Sequence, residues 1–110
     1  MPLLHCFAAL DQSPETRRQA VLQIDAVCRR HFNQDYSLYY EALSSDIAAQ
    51  PAKGKLYFLV ATAGQPLLPE KRSALAADLK AALDVPQSIL FQTYPLDAVA
   101  KNGQYLADIS

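Results

Sequence analysis

Two segments of this chain open in the same way. Pro14-Glu15-Thr16-Arg17 recurs as Pro69-Glu70-Lys71-Arg72, 55 residues later. The offset persists through the apolar positions that follow, pairing Ala20 with Leu75, Ile24 with Leu79, Val27 with Ala82 and Cys28 with Leu83. Further on the offset is 51, and it pairs Leu38 with Ile89, Tyr40 with Phe91, Glu41 with Gln92, Asp46 with Asp97 and Ala49 with Ala100. The first half therefore carries a helix-to-strand connection four residues longer. At 110 residues the chain has room for one ordinary domain. The expectation is a single domain of two pseudo-repeats, about 2–50 and 55–107.

Each half reads as strand, helix, strand. Leu3 to Leu10 is apolar except for His5 and fits a strand. Ser13 suits an N-cap, Pro14 the first helical position and Glu15 the positive end of the helix dipole. Ala20, Ile24, Val27 and Cys28 recur at helical spacing, and Arg29, Arg30 and His31 close the last turn, where cations are favoured. A strand is expected at about Tyr36 to Leu43, a connection over Ser44 to Gly54, and the strongest strand over Lys55 to Ala63. Pro69-Glu70 opens a second helix that Asp84-Val85-Pro86 ends, because the residue before a proline avoids helical angles. Ser88 to Tyr94 is the fourth strand. The tail, with Gly103 and Tyr105, reads as loose or as a short edge strand.

Strands joined by a helical crossover lie parallel. Two such units predict an α+β fold: a tandem β-α-β repeat with a four-stranded sheet and both helices on one face. The helices cover only that face. Yet the third strand is apolar on both parities, with Leu56, Phe58 and Val60 against Tyr57, Leu59 and Ala61, the pattern of a strand buried on both sides. The expected cover for the second face is another copy of the chain, in a homo-oligomer.

Composition removes several function classes. Apolar residues make up 51% and charged residues 19%, with a net charge of -1. A disordered segment lacks such apolar content, and a nucleic-acid binder carries a clustered basic excess. The longest apolar stretch is too short to span a bilayer, so no membrane partner is expected. Two cysteines and no basic, apolar leader predict free thiols in the cytoplasm. Cys6, Cys28, His5 and His31 lack zinc-ligand spacing, the three glycines form no phosphate loop, and no nucleophile elbow is present. No metal or cofactor is expected.

The chemistry candidate is Pro2. Methionine is usually removed before a small residue, which would leave a secondary amine at the start of a core strand. Burial would disfavour its charged form and leave a neutral amine able to act as a general base. If Met1 stays, the Pro2 nitrogen is an amide and carries no such chemistry. Pro2-Leu3-Leu4, the two Pro-Glu helix openings and Asp84-Val85-Pro86-Gln87-Ser88-Ile89, in that order, resemble the tautomerase superfamily over essentially the whole chain. That group includes 4-oxalocrotonate tautomerase, macrophage migration inhibitory factor, malonate semialdehyde decarboxylase and cis-3-chloroacrylic acid dehalogenase. The resemblance implies a homotrimer of two-repeat subunits with inward-facing sheets and an amino-terminal proline as catalytic base.

The chain also departs from that pattern. Where the resemblance implies an arginine after the first strand, the chain reads Leu10-Asp11-Gln12. Tyr39 stands near the place of a second arginine, His31-Phe32-Asn33-Gln34 near that of a lysine, and Leu90 and Gln92 near those of a late tyrosine and asparagine. The candidate catalytic residues are thus Pro2, Tyr39 and Gln92, the last two as stabilisers of an enolate. Arg30 and Tyr94 are candidates for binding a small carbonyl substrate. The function expected is cofactor-independent movement of a proton alpha to a carbonyl, as in a tautomerase or isomerase. The alternatives are a non-catalytic binding or scaffold protein on the same fold, and a ferredoxin-like small-molecule sensor.

Overall fold

The computed structural model describes residues 2–8, 12–42 and 54–109. Met1, the last two residues of the expected first strand, and Asp11, Leu43, Asp46 and Ala49 lie outside them. The elements run β1 (Leu3–Ala8), α1 (Pro14–His31), β2 (Ser37–Ala42), β3 (Leu56–Ala63), α2 (Pro69–Ala82) and β4 (Gln87–Tyr94). The tail forms a short 3-10 turn (Leu96–Ala98), a two-residue pair β5 (Ala100–Lys101) and β6 (Gln104–Tyr105), and α3 (Leu106–Ile109). The expected loose or edge-strand tail is therefore a small hairpin apart from the main sheet.

The helix ends follow their sequence signals. Ser13 accepts from the Thr16 amide at 3.1 Å, which satisfies one of the orphan donors of the first turn of α1. The first turn of α2 has Pro69 but no side-chain cap. Its other end is held by Gln87, whose side-chain amide donates to the Leu83 carbonyl at 2.5 Å and the Leu79 carbonyl at 3.1 Å. Each of these carbonyls also accepts a backbone N–H, Leu79 from Leu83 at 2.9 Å and Leu83 from Val85 at 2.8 Å, so Gln87 adds a second donor to both.

The main sheet has the order β2-β1-β3-β4. β1 runs parallel to β2, β3 runs parallel to β4, and the two halves meet along an antiparallel β1–β3 pair. Each helix thus joins two neighbouring strands, as the repeat predicts. This is not the split threading of a ferredoxin-like sheet. Leu4, Cys6 and Ala8 on β1, and Leu56, Phe58 and Val60 on β3, are buried with Ile24, Val27 and Cys28 of α1 and Leu75 and Leu79 of α2. Both helices therefore cover the same face. His31 of α1 also meets Asp78 of α2, Nε2 to Oδ2 at 2.6 Å, which joins the halves on the helix side.

Burial holds both cysteines as thiols. It pushes Cys6 up to about 12, and burial with the nearby Asp25 charge pushes Cys28 up to about 11. Both are free and buried.

Candidate active site

Alternation along the strands decides which side chains reach the uncovered face of the sheet. The paired register puts Leu3, His5 and Phe7 of β1 there, with Tyr39 and Glu41 of β2, Tyr57 and Leu59 of β3, and Leu90, Gln92 and Tyr94 of β4. Much of it is apolar. Leu90 is 58% exposed and Tyr39 57%, while Phe7, Tyr57 and Leu59 are half-buried. A shallow hollow in this face is lined by Phe7, Tyr57, Leu59, Ser88, Leu90 and Gln92. The both-sided apolar pattern of β3 thus corresponds to one buried face and one half-open face.

One polar group interrupts the apolar side of β1. His5 Nε2 lies 3.1 Å from Glu41 Oε1, and its ring stacks on Phe7 with centroids 4.0 Å apart. Tyr39 stands beside it, ring to ring at 5.9 Å. Glu41 was not singled out from the sequence. Its repeat equivalence to Gln92 was visible, but not its partner across the β1–β2 ladder.

Pro2 is wholly buried at the entry to β1, and its carbonyl accepts from the Ser37 amide at 3.0 Å. Gln92 is opposite Ala61 on β3, and Ala61 is opposite Leu3 on β1. Gln92 is therefore level with the start of β1, two strand spacings or about 10 Å away. The Tyr94 hydroxyl donates to Gln92 Oε1 at 2.6 Å. This bond occupies the amide's acceptor and leaves its NH2 group to serve another acceptor.

The structure brings Gln92 and Tyr94 together, and places them at the same end of the sheet as Pro2. Tyr39 is on the same open face but at the far edge, level with His5. Arg30 is exposed on the helix side, along a groove with Leu22, Gln23, Ala26 and Ala82. It does not share a surface with Tyr39, Gln92 or Tyr94 within one chain. Among the described residues no cluster of three or more histidine, cysteine or acidic side chains could hold a metal ion. No helix of the described residues is long and apolar enough to cross a membrane. Sequence reasoning also passed over Arg72, noted only as part of the repeated helix opening. It is the one arginine of the five that is partly buried.

No protein-family model matches the chain, and no curated protein matches it in sequence. Solved structures do match it along nearly its whole length. Pt0534 inactivated by 2-oxo-3-pentynoate superimposes with a TM-score of 0.78 at 16% identity, covering 98% of this chain and 99% of that one. The symmetric trimer of a wild-type fused 4-OT gives 0.77 at 10% identity, covering 98% of each chain. MIF2 of Leishmania major gives 0.63 at 16% identity, covering 96% of this chain and 97% of that one. At such identities the likeness is one of fold.

Proposed function

We propose that this chain, whose fold is that of the tautomerase superfamily, moves a proton alpha to a carbonyl without a cofactor. The amine of Pro2, uncovered by loss of Met1, is the base. The observation that carries this reading is the complete burial of Pro2 at the head of a central strand. An amine held there favours its neutral form at neutral pH and takes a proton from a carbon acid in one step. The proton leaves the carbon as its bonding pair moves into the enolate, and the resulting ammonium returns it at the new position. The Gln92 amide, oriented by Tyr94, supplies a donor for the enolate oxygen. Tyr39 and Arg30 take part only if a neighbouring subunit presents them.

Self-association is part of this reading. The apolar open face is the surface a second and third copy would cover, and one structurally similar fused 4-OT is a trimer. The mass in solution should then be about three times the 12.1 kDa of one chain. A monomer mass in light scattering counts against it. The expected place of action is the cytoplasm, where Cys6 and Cys28 stay reduced.

The decisive experiment uses 2-oxo-3-pentynoate, the reagent that inactivates Pt0534. A neutral amine adds to its alkyne carbon, and the amine proton passes to the neighbouring carbon, so nothing is lost. Intact mass should first show a chain without Met1, then one reagent added per chain, mapped to Pro2. The buried cysteines do not compete, because their thiols are held protonated. A chain that keeps Met1, or an adduct found elsewhere, sinks the proposal.

A further inference from the structure

Arg72 lies outside the chemistry proposed for Pro2. It stands in the first turn of α2, and its guanidinium carbon is 5.9 Å from the centre of the Phe91 ring. Beneath it is a small cavity of about 30 Å³, lined by Thr62, Thr93, Leu67, Pro66, Phe91 and Gln92 as well as Arg72. This is room for one or two waters, or for the oxygens of a headgroup whose remainder stays outside. The hydroxyls of Thr62 and Thr93 lie 3.3 Å apart across the β3–β4 ladder.

Among the described residues that line this cavity, Arg72 is the only charged one. Among the described residues no carboxylate forms an ion pair with Arg72, Arg17 or Arg30, whereas Arg18 has Glu15, Arg29 has Asp25 and Lys80 has Asp84; of the three without one, only Arg72 is partly buried. Glu70 is in the same turn, but it is exposed and forms no ion pair with Arg72. Arg72 also sits where the helix dipole favours negative charge, so its position opposes the local field. A partly buried guanidinium near an aromatic ring, beside a hydrogen-bonded pair of hydroxyls of which one keeps its donor free, offers charged and neutral donors to an oxyanion.

We infer that this cavity binds a small oxyanion, a carboxylate or a phosphate group, through Arg72, Thr62 and Thr93. Pro2 does not line it, so the inference stands whether or not Pro2 is a base. It adjoins the candidate site only through Gln92.

The test is an NMR titration of the full chain with sodium phosphate and, separately, sodium acetate, at constant ionic strength made up with chloride. Saturable shifts should appear at Thr62, Thr93 and Arg72. Saturation by one salt alone identifies the headgroup, and saturation by both leaves the oxyanion reading intact. Arg72→Gln should weaken binding about tenfold or more, as expected when a charged hydrogen-bond donor is lost. Arg18→Gln, an exposed residue of equal charge, should leave it unchanged. Thr93→Val keeps the shape and should weaken binding a few fold, which provides a second reading if Arg72→Gln does not fold. Shifts that never saturate with either salt, or that are the same in the Arg72 or Thr93 variant, overturn the inference.

Discussion

Pro2→Ala should lower ketonisation of phenylpyruvate or 2-hydroxymuconate by about 10² to 10⁴, the usual contribution of a positioned base. That corresponds to about 3 to 5 kcal/mol of barrier. Alanine still leaves an amine once Met1 is gone, but a primary one on a freely rotating residue. The proline ring fixes its nitrogen relative to β1, and its side chain is buried at the head of that strand. The change removes little volume, and the Pro2 carbonyl that accepts from Ser37 remains. Circular dichroism should therefore be nearly unchanged while the rate falls. Turnover that survives the substitution in a correctly processed chain refutes the assignment of Pro2 as base.

Leu79→Ala should cost about 2 to 5 kcal/mol of stability in urea unfolding, measured at fixed protein concentration. Leu79 has no exposed surface and lies where α2 meets both the sheet and α1. The cavity left behind would border Leu75, Val27 and other core groups that cannot all move inward. A loss of this size is a large share of the 5 to 15 kcal/mol typical of whole domains. Leu22→Ala is the contrast. Leu22 is 57% exposed on the outside of α1, and the cost there should stay within about 0.5 kcal/mol. Similar losses for the two would mean that the core is not where the structure puts it.

The fold was legible because both kinds of periodicity were strong. α1 begins at Pro14 after Ser13 and ends at His31, as the capping residues predict. The spacing of Ala20, Ile24, Val27 and Cys28 picks out the four buried residues of that helix. The second helix ends at Ala82, with Leu83 as its cap, before the Val85-Pro86 pair. The strands hold to within a residue or two wherever they are described. Alternation also showed that β3 has a second apolar side. Gln87 illustrates what was not legible. Its side chain reaches back to the last carbonyls of α2, a contact set by the turn between helix and strand rather than by any spacing.

The candidate site divides in the same way. Pro2 stood out through its residue type together with the doubled strand-helix-strand order, since an amino-terminal proline offers a secondary amine once Met1 is gone. The pairing of Tyr94 with Gln92 needed only two-residue alternation on one strand, and both had been named. The partnership of His5 with Glu41 depended on the parallel register of β1 and β2, which no local pattern specifies. That no carboxylate among the described residues pairs with Arg72 depended on packing, since Glu70 is only two residues away in sequence.

The sequence by itself determined the repeat, the four strands, the two helices and the single covered face, because these follow from local periodicity, caps and the crossover rule. Only the tertiary structure decided that the halves join through an antiparallel β1–β3 pair, that Pro2 is buried, and that Arg72 stands over a cavity with no carboxylate among the described residues that line it. Those facts arise from contacts between residues far apart in the chain, where register and packing set the distances and sequence spacing does not.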